Sequence, residues 1–95
     1  MKIAVLFYHS VYDEEVRALL GHLGCARYVE VPRAWALDEN DKRFDTHIYP
    51  GTDSIILAFV DEACGERLAA AIRQFRNGKQ KEHTHLAFVP VEQFV

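Results

Sequence analysis

The sequence of 95 residues predicts an α+β fold in which two similar β-α-β units share one sheet. In each unit an apolar strand precedes an amphipathic helix and a second strand. The first unit comprises residues 2–9, 13–24 and 27–31, and the second comprises residues 54–60, 64–77 and 85–91. A charged segment with Pro and Gly, at about residues 34–53, separates them. This split arrangement is typical of the ferredoxin-like βαββαβ sandwich, so we expect one domain over residues 1–95, with a four-stranded antiparallel sheet and two helices on one face.

The first helix is predicted from apolar residues at the i, i+3, i+4, i+7 spacing, which places them on one helix face. These residues are Val16, Leu19, Leu20 and Leu23. Ser10 and Asp13 form a capping-type start, and Gly24 supplies the stop.

The second helix repeats this spacing with Leu68, Ala71, Ile72 and Phe75. Two arginines lie in its last turns, and Gly78 closes it. Because each helix has a single apolar face, both are expected to pack on the same side of the sheet.

The strands at residues 2–9, 54–60 and 85–91 are apolar at odd and even positions alike. A sheet with one face in water alternates apolar and polar residues instead. Two helices cover only one face, and an exposed apolar sheet face is typical of a subunit interface. We therefore predict an obligate homo-oligomer. The alternative is that a curled sheet and the long loop cover this face within one chain.

Composition excludes several classes of function. A net charge of −3 argues against general nucleic-acid binding and against binding to anionic membranes. No apolar run approaches the roughly 18 residues of a membrane span, so no membrane insertion is expected. The apolar start ends at His9 without a cleavage site, which favours a first strand over a signal peptide. We therefore expect a cytoplasmic location. Cys25 and Cys64 sit in no CxxC motif, and we expect free thiols at helix ends.

The second half carries a specific resemblance. It contains FVDE at residues 59–62, a helix over 66–75, RNGK at 76–79 and FVPVE at 88–92. In this order the motifs resemble the PII family of nitrogen-regulatory signalling proteins. THIYPG at residues 46–51 is similar to a motif of a PII-like subgroup. The subgroup is divergent, because QKEH at residues 80–83 stands where the family has its phosphate-loop glycines.

The resemblance implies a non-enzymatic homotrimeric regulator with its three sheets packed inside. It implies that the loop at about residues 36–53 contacts a protein partner, such as an enzyme, transporter or regulator. It also implies that an anionic effector, with an adenine nucleotide as the candidate, binds in clefts between subunits. The ligand-binding candidates are Arg33, Trp35, Gly78, Lys79, Lys81 and His83.

The chemistry of the segment around residues 78–85 suits an anion. Backbone amides of a Gly-containing turn and lysine ammonium groups bind phosphate or carboxylate. A solvated turn with ordinary surface lysines is the alternative. Trp35, the only tryptophan, could present an aromatic platform to a base or pack against a neighbour.

The long loop is strongly polar around one aromatic residue, Phe44, which would anchor a partner. For the free protein the sequence favours a solvated or disordered loop, which a ligand or partner would then order. Tyr49 lies in a Tyr-Pro-Gly turn that returns the chain to the third strand, and Tyr49 and His47 are additional binding candidates.

Two other functions remain open. His83 and His85 share one strand face and could hold a metal ion together with His47, as in a metal-responsive trimer like the CutA proteins. A small ferredoxin-like monooxygenase or isomerase is the enzyme alternative. It is the least favoured because no inward polar cluster is predicted to interrupt either apolar strand face.

Overall fold

The computed structural model describes residues 1–25, 27–34, 36–38, 41–43, 52–78 and 84–95. In chain order its elements are β1 (Lys2–His9), a 3₁₀ turn (Ser10–Tyr12), α1 (Asp13–Leu23), β2 (Tyr28–Ala34), β3 (Ala36–Asp38), β4 (Asp41–Arg43), β5 (Asp53–Val60), α2 (Glu62–Gly78) and β6 (His85–Pro90).

The main sheet has the strand order β2-β5-β1-β6, and every neighbouring pair is antiparallel. In the middle of the sheet Val5 lies opposite Leu57 on one side and Ala87 on the other. The predicted α+β, ferredoxin-like sandwich with a four-stranded antiparallel sheet is confirmed. Strands β3 and β4 form a separate two-stranded ribbon in which Leu37 lies opposite Lys42.

The core lies between the sheet and the two helices. Alternate residues of β1 and β5 face the helices and are at most 2% exposed, namely Ala4, Leu6, Tyr8, Ile56, Ala58 and Val60. The helices contribute Val16 and Leu20 from α1, and Leu68 and Ile72 from α2. Both predicted helix stripes therefore pack where the 3.6-residue period placed them. Burying each such aliphatic side chain contributes about 1.5–3 kcal/mol.

The opposite face of the sheet, which we call the outer face, is apolar and exposed. Phe7, Val29, Val31 and Val89 are between 38% and 51% exposed. Phe94, near the end of the chain, packs edge-on against Phe59 with ring centroids 5.1 Å apart. In the described part of the chain, no helix covers this face. Because the strands are apolar on both faces, they leave an exposed apolar surface that a partner subunit could bury.

Cys25 and Cys64 form a disulfide, so the expectation of free thiols is wrong. The bond joins the residue after Gly24 to the first turn of α2, across 39 positions of sequence. Both cysteines are buried, and their Cα atoms are 6.3 Å apart. The reason is topological: α1 ends beside the start of α2, a proximity that sequence spacing does not reveal.

Strand β2 is longer than predicted, because it continues through Pro32 to Ala34. Proline is tolerated there because β2 is an edge strand and one row of its amides needs no partner. The ribbon β3–β4 also shows that residues 36–43 include regular structure, whereas the sequence favoured a solvated or disordered loop. Among the described residues, neither helix is both long and apolar enough to cross a membrane.

Candidate functional site

The segments predicted to carry function meet at one end of the sheet, which we call the loop end. Here β1 ends at His9, β2 ends at Ala34, β5 begins at Asp53 and β6 begins at His85. Asp53 lies opposite both His9 and Ala34 in the strand register. The long loop therefore leaves and re-enters the sheet beside the start of α1.

A chain of hydroxyl groups holds the base of this loop, and we call it the hydroxyl cluster: Ser10, Thr52, Ser54 and Asp13. The Ser10 Oγ lies 2.8 Å from Thr52 Oγ1 and 3.0 Å from Ser54 Oγ, and the Ser54 hydroxyl donates to Asp13 Oδ1 at 2.6 Å. The backbone N–H of Ser10 also donates to the Thr52 carbonyl at 2.9 Å. Since each hydroxyl donates one proton, the bonds can run from Thr52 through Ser10 and Ser54 to the carboxylate.

Tyr8 lies beneath the hydroxyl cluster, and its side chain is fully buried. Its hydroxyl has no hydrogen-bond partner within the described residues. Burial, and next the neighbouring Asp13, raises the pKa of the phenol above its ordinary value. Tyr8 is therefore a neutral phenol buried beside the Asp13 carboxylate.

An ion pair closes the cluster toward the edge of the sheet. The Arg17 guanidinium donates from Nε and Nη2 to the two carboxylate oxygens of Glu30, both at 2.8 Å. Arg17 Nη2 is also 4.0 Å from Asp13 Oδ2. A bidentate pair fixes direction as well as distance, so Arg17 ties the start of α1 to the edge strand β2.

The sequence did not reveal this cluster, and the expectation that no inward polar cluster interrupts the strands is wrong. The side chains that bond to each other in it are 41 to 44 positions apart in sequence. One signal was available: Ser54 shares the two-residue alternation of Ile56 and so faces the core. Ser54 and the neighbouring Tyr8 are both 0% exposed, whereas Ser10 and Asp13 are partly exposed.

Arg33 is a predicted ligand residue that lies in the described part of the chain and has an unusual backbone. It lies exposed in a bulge of β2, where the pairing with β5 shifts between Val31 and Ala34. Its φ of 56° is in the left-handed region, which costs a residue with a side chain about 1 kcal/mol. Such strain is more common at functional positions than elsewhere.

The remaining predicted site residues divide into two groups. Gly78 ends α2, and His85 begins β6 with an exposed side chain. The others lie outside the described residues, namely Trp35, Phe44, His47, Tyr49, Lys79, Lys81 and His83. Within the described ranges, no three His, Cys, Asp or Glu side chains come together as metal ligands would.

Arg33 and His85 lie on opposite edges of the sheet, in β2 and β6. Three strand spacings of about 4.8 Å separate these edges, or about 14 Å in total. One chain therefore does not bring the two edges to the same small ligand.

No protein-family model matches the sequence, and no curated protein matches it. Solved structures share its fold. One of them is the structure of CPII, a nitrogen regulatory PII-like protein from Thiomonas intermedia K12, bound to ADP, AMP and bicarbonate. It matches with a TM-score of 0.71 at 15% sequence identity, and the match covers 97% of this chain and 88% of that chain. A putative PII-like signalling protein from Thermus thermophilus has a TM-score of 0.54 at 14% identity, over 92% of this chain and 80% of that chain.

The chain has the PII-like fold. The resemblance inferred from the motifs of the second half is thus confirmed at the level of the fold. In this chain, the end of α2 and the two strand ends that flank the long loop lie at the same end of the sheet.

Proposed function

We propose that this protein is a homotrimeric PII-like regulator that binds a small anionic effector between subunits and a protein partner through the loop at residues 36–53. The effector is an adenine nucleotide, the ligand class found with CPII. The observation that carries the proposal is the outer face of the sheet, which is apolar and exposed in the described chain.

Trimer formation follows from the cost of leaving the outer face in water. Phe7, Val29, Val31 and Val89 belong to three strands of one continuous sheet. Burying apolar surface contributes about 25 cal/mol per Å², so packing three such faces around a common axis would be stabilising. A closed ring of this kind uses the same contact three times.

The location of the effector follows from the two sheet edges. In a closed ring, the β2 edge of one subunit approaches the β6 edge of the next. Arg33 of one subunit would then approach the segment between Gly78 and His85 of its neighbour. This arrangement supports Lys79, Lys81 and His83 as phosphate-binding residues and Trp35 as a surface for the base.

Signalling requires that ligand binding in the cleft between subunits change the conformation of the loop. The hydroxyl cluster joins Thr52, at the end of the loop, to the start of α1. Arg33 lies where the loop begins. A ligand that contacts Arg33 would therefore bias the loop that carries Phe44, His47 and Tyr49 toward a partner. A catalytic role is not proposed, because the hydroxyl cluster is accounted for by its hydrogen bonds between the base of the loop and the start of α1.

Light scattering tests the trimer. We expect a mass three times 10.9 kDa for the wild-type protein. Val5→Asp places a charge in the centre of the outer face and should produce a folded monomer. Ala18→Asp, on the exposed side of α1, is the matched control. A monomeric wild-type protein would refute the proposal.

Calorimetric titration with ADP and AMP tests the effector. We expect the variant carrying both Lys79→Ala and Lys81→Ala to lose binding. Lys2→Ala, at the opposite end of β1, should bind normally. Absence of nucleotide binding by the wild-type trimer would contradict the effector, and undiminished binding by the double variant would contradict the assigned residues.

A further inference from the structure

A second candidate site lies away from the loop and the outer face, in a groove between α2 and the edge strand β6. We call it the arginine groove. Its cavity has a volume of about 240 Å³ and is lined by Ala69, Ile72, Arg73, Arg76, Leu86 and Phe88. All six residues come from one chain, and none has a role in the function proposed above.

The charge of the groove comes from Arg73 and Arg76, which are exposed and lie three residues apart on one face of α2. Neither guanidinium forms an ion pair with a residue in the described ranges. Arg76 is positioned by a hydrogen bond from Nη1 to the carbonyl of the buried Thr84, at 3.2 Å. Because a guanidinium has five N–H donors, Arg76 retains four for a ligand. Like charges at this spacing repel each other, so an anion between them stabilises both.

The floor of the groove is apolar. Ile72 is 2% exposed, and Leu86 and Phe88 are half-buried members of the core. The Phe88 ring is wedged against α2: a Cβ at Gly65 would lie 3.4 Å from Phe88 Cε1. The ring therefore offers a fixed aromatic surface beside two positive charges.

A neighbouring cavity of about 150 Å³ determines the orientation of a ligand. It shares Ala69 and Phe88 with the arginine groove, but its other lining residues include Asp61, Glu62 and Glu66. Lys2 also lines this cavity, but one positive charge does not balance three carboxylates, so this end repels an anion. An anionic group is thus confined to the arginine end, and the apolar part of the same ligand lies over Phe88.

We propose that the arginine groove binds a small organic anion, a phosphate or carboxylate attached to an apolar or aromatic body. The cavity holds about eight water molecules at liquid density, and it is smaller than the roughly 300 Å³ at which pockets for drug-sized ligands begin. A ligand of about ten non-hydrogen atoms fits this space. The described lining residues do not include any that the proposed function assigns to the nucleotide cleft.

Titration of the full-length protein with phenyl phosphate, benzoate, inorganic phosphate and phenol, followed by amide NMR, tests the site. We expect phenyl phosphate or benzoate to shift the amides of Ala69, Arg73, Leu86 and Phe88. Whichever of the two binds more tightly identifies the anionic group. Inorganic phosphate and phenol, which each lack half of the ligand, should bind at least tenfold more weakly.

Two variants separate this site from general surface charge. Arg73→Gln should weaken binding about fivefold, since it removes one of two exposed charges. Arg67→Gln on the same helix should not, because Arg67 is not among the residues that line the groove. Ala69→Leu should fill the groove and weaken binding at least tenfold, whereas Ala70→Leu, which is exposed, should not.

Three outcomes would overturn the proposal: equal binding of inorganic phosphate, undiminished binding by both groove variants, and no binding of either aromatic anion. A trimer that binds ADP but fails this test would refute the arginine groove alone. A protein that passes this test without binding ADP would refute only the nucleotide effector.

Discussion

The disulfide between Cys25 and Cys64 should contribute a large part of the stability of this small domain. Replacing both cysteines with serine removes a covalent link that closes a loop across 39 positions of sequence. In the chain-entropy relation, such a loop costs the unfolded state about 13 cal/mol/K, or about 4 kcal/mol at 25 °C. Single domains have about 5–15 kcal/mol of net stability, so the double variant should lose a substantial fraction of it.

Urea denaturation followed by circular dichroism, at one fixed protein concentration, measures this effect. The wild-type protein should unfold at a higher urea concentration without reductant than with it. The double serine variant should be insensitive to reductant and should match the reduced wild-type protein. Thiol labelling of the denatured, unreduced protein should modify neither cysteine.

The reasoning would be refuted if the unreduced, denatured protein reacted with two equivalents of a thiol reagent. It would also be refuted if reductant left the urea midpoint of the wild-type protein unchanged. The second result would mean that the link does not constrain the unfolded chain.

Two predictions concern the loop end of the sheet. Ser54→Ala removes the hydroxyl that donates to Asp13 at 2.6 Å. The variant should lower the free energy of unfolding by about 2 kcal/mol, because the carboxylate loses a charge-assisted hydrogen bond. An unchanged urea midpoint would contradict this prediction. For Tyr8, burial and then Asp13 raise the pKa of the folded state above the unfolded value of about 10. The folded state therefore holds this proton more tightly, and the resulting stability is complete below pH 10 and is lost as the pH rises above it. Tyr8→Phe should make that loss shallower without destabilising the protein at pH 7, whereas a steeper loss would show that the phenol ionises more easily when folded.

Much of the fold could be predicted because its signals are local. The spacing of Val16, Leu20, Leu68 and Ile72 determined which helix faces are buried, since a 3.6-residue period depends only on neighbours in sequence. The motifs of the second half led to the same fold that the solved structures share. The candidate ligand residues were chosen by chemistry and resemblance, and most of them lie outside the described residues.

The features that were missed depend on contacts between distant segments. The hydroxyl cluster joins residues more than 40 positions apart, and the arginine groove exists only because α2 lies beside β6. The left-handed backbone of Arg33 results from a shift in strand pairing that its side chain does not indicate.

The sequence by itself therefore determined the order of elements, their buried faces and the surplus of apolar surface on the sheet. These properties follow from periodicity, which is local. Only the tertiary structure decided which segments meet. It joined Cys25 to Cys64, formed the hydroxyl cluster and placed Arg33 and His85 on opposite edges of one sheet. The reason is that packing brings together groups whose separation in sequence carries no information about their distance in space.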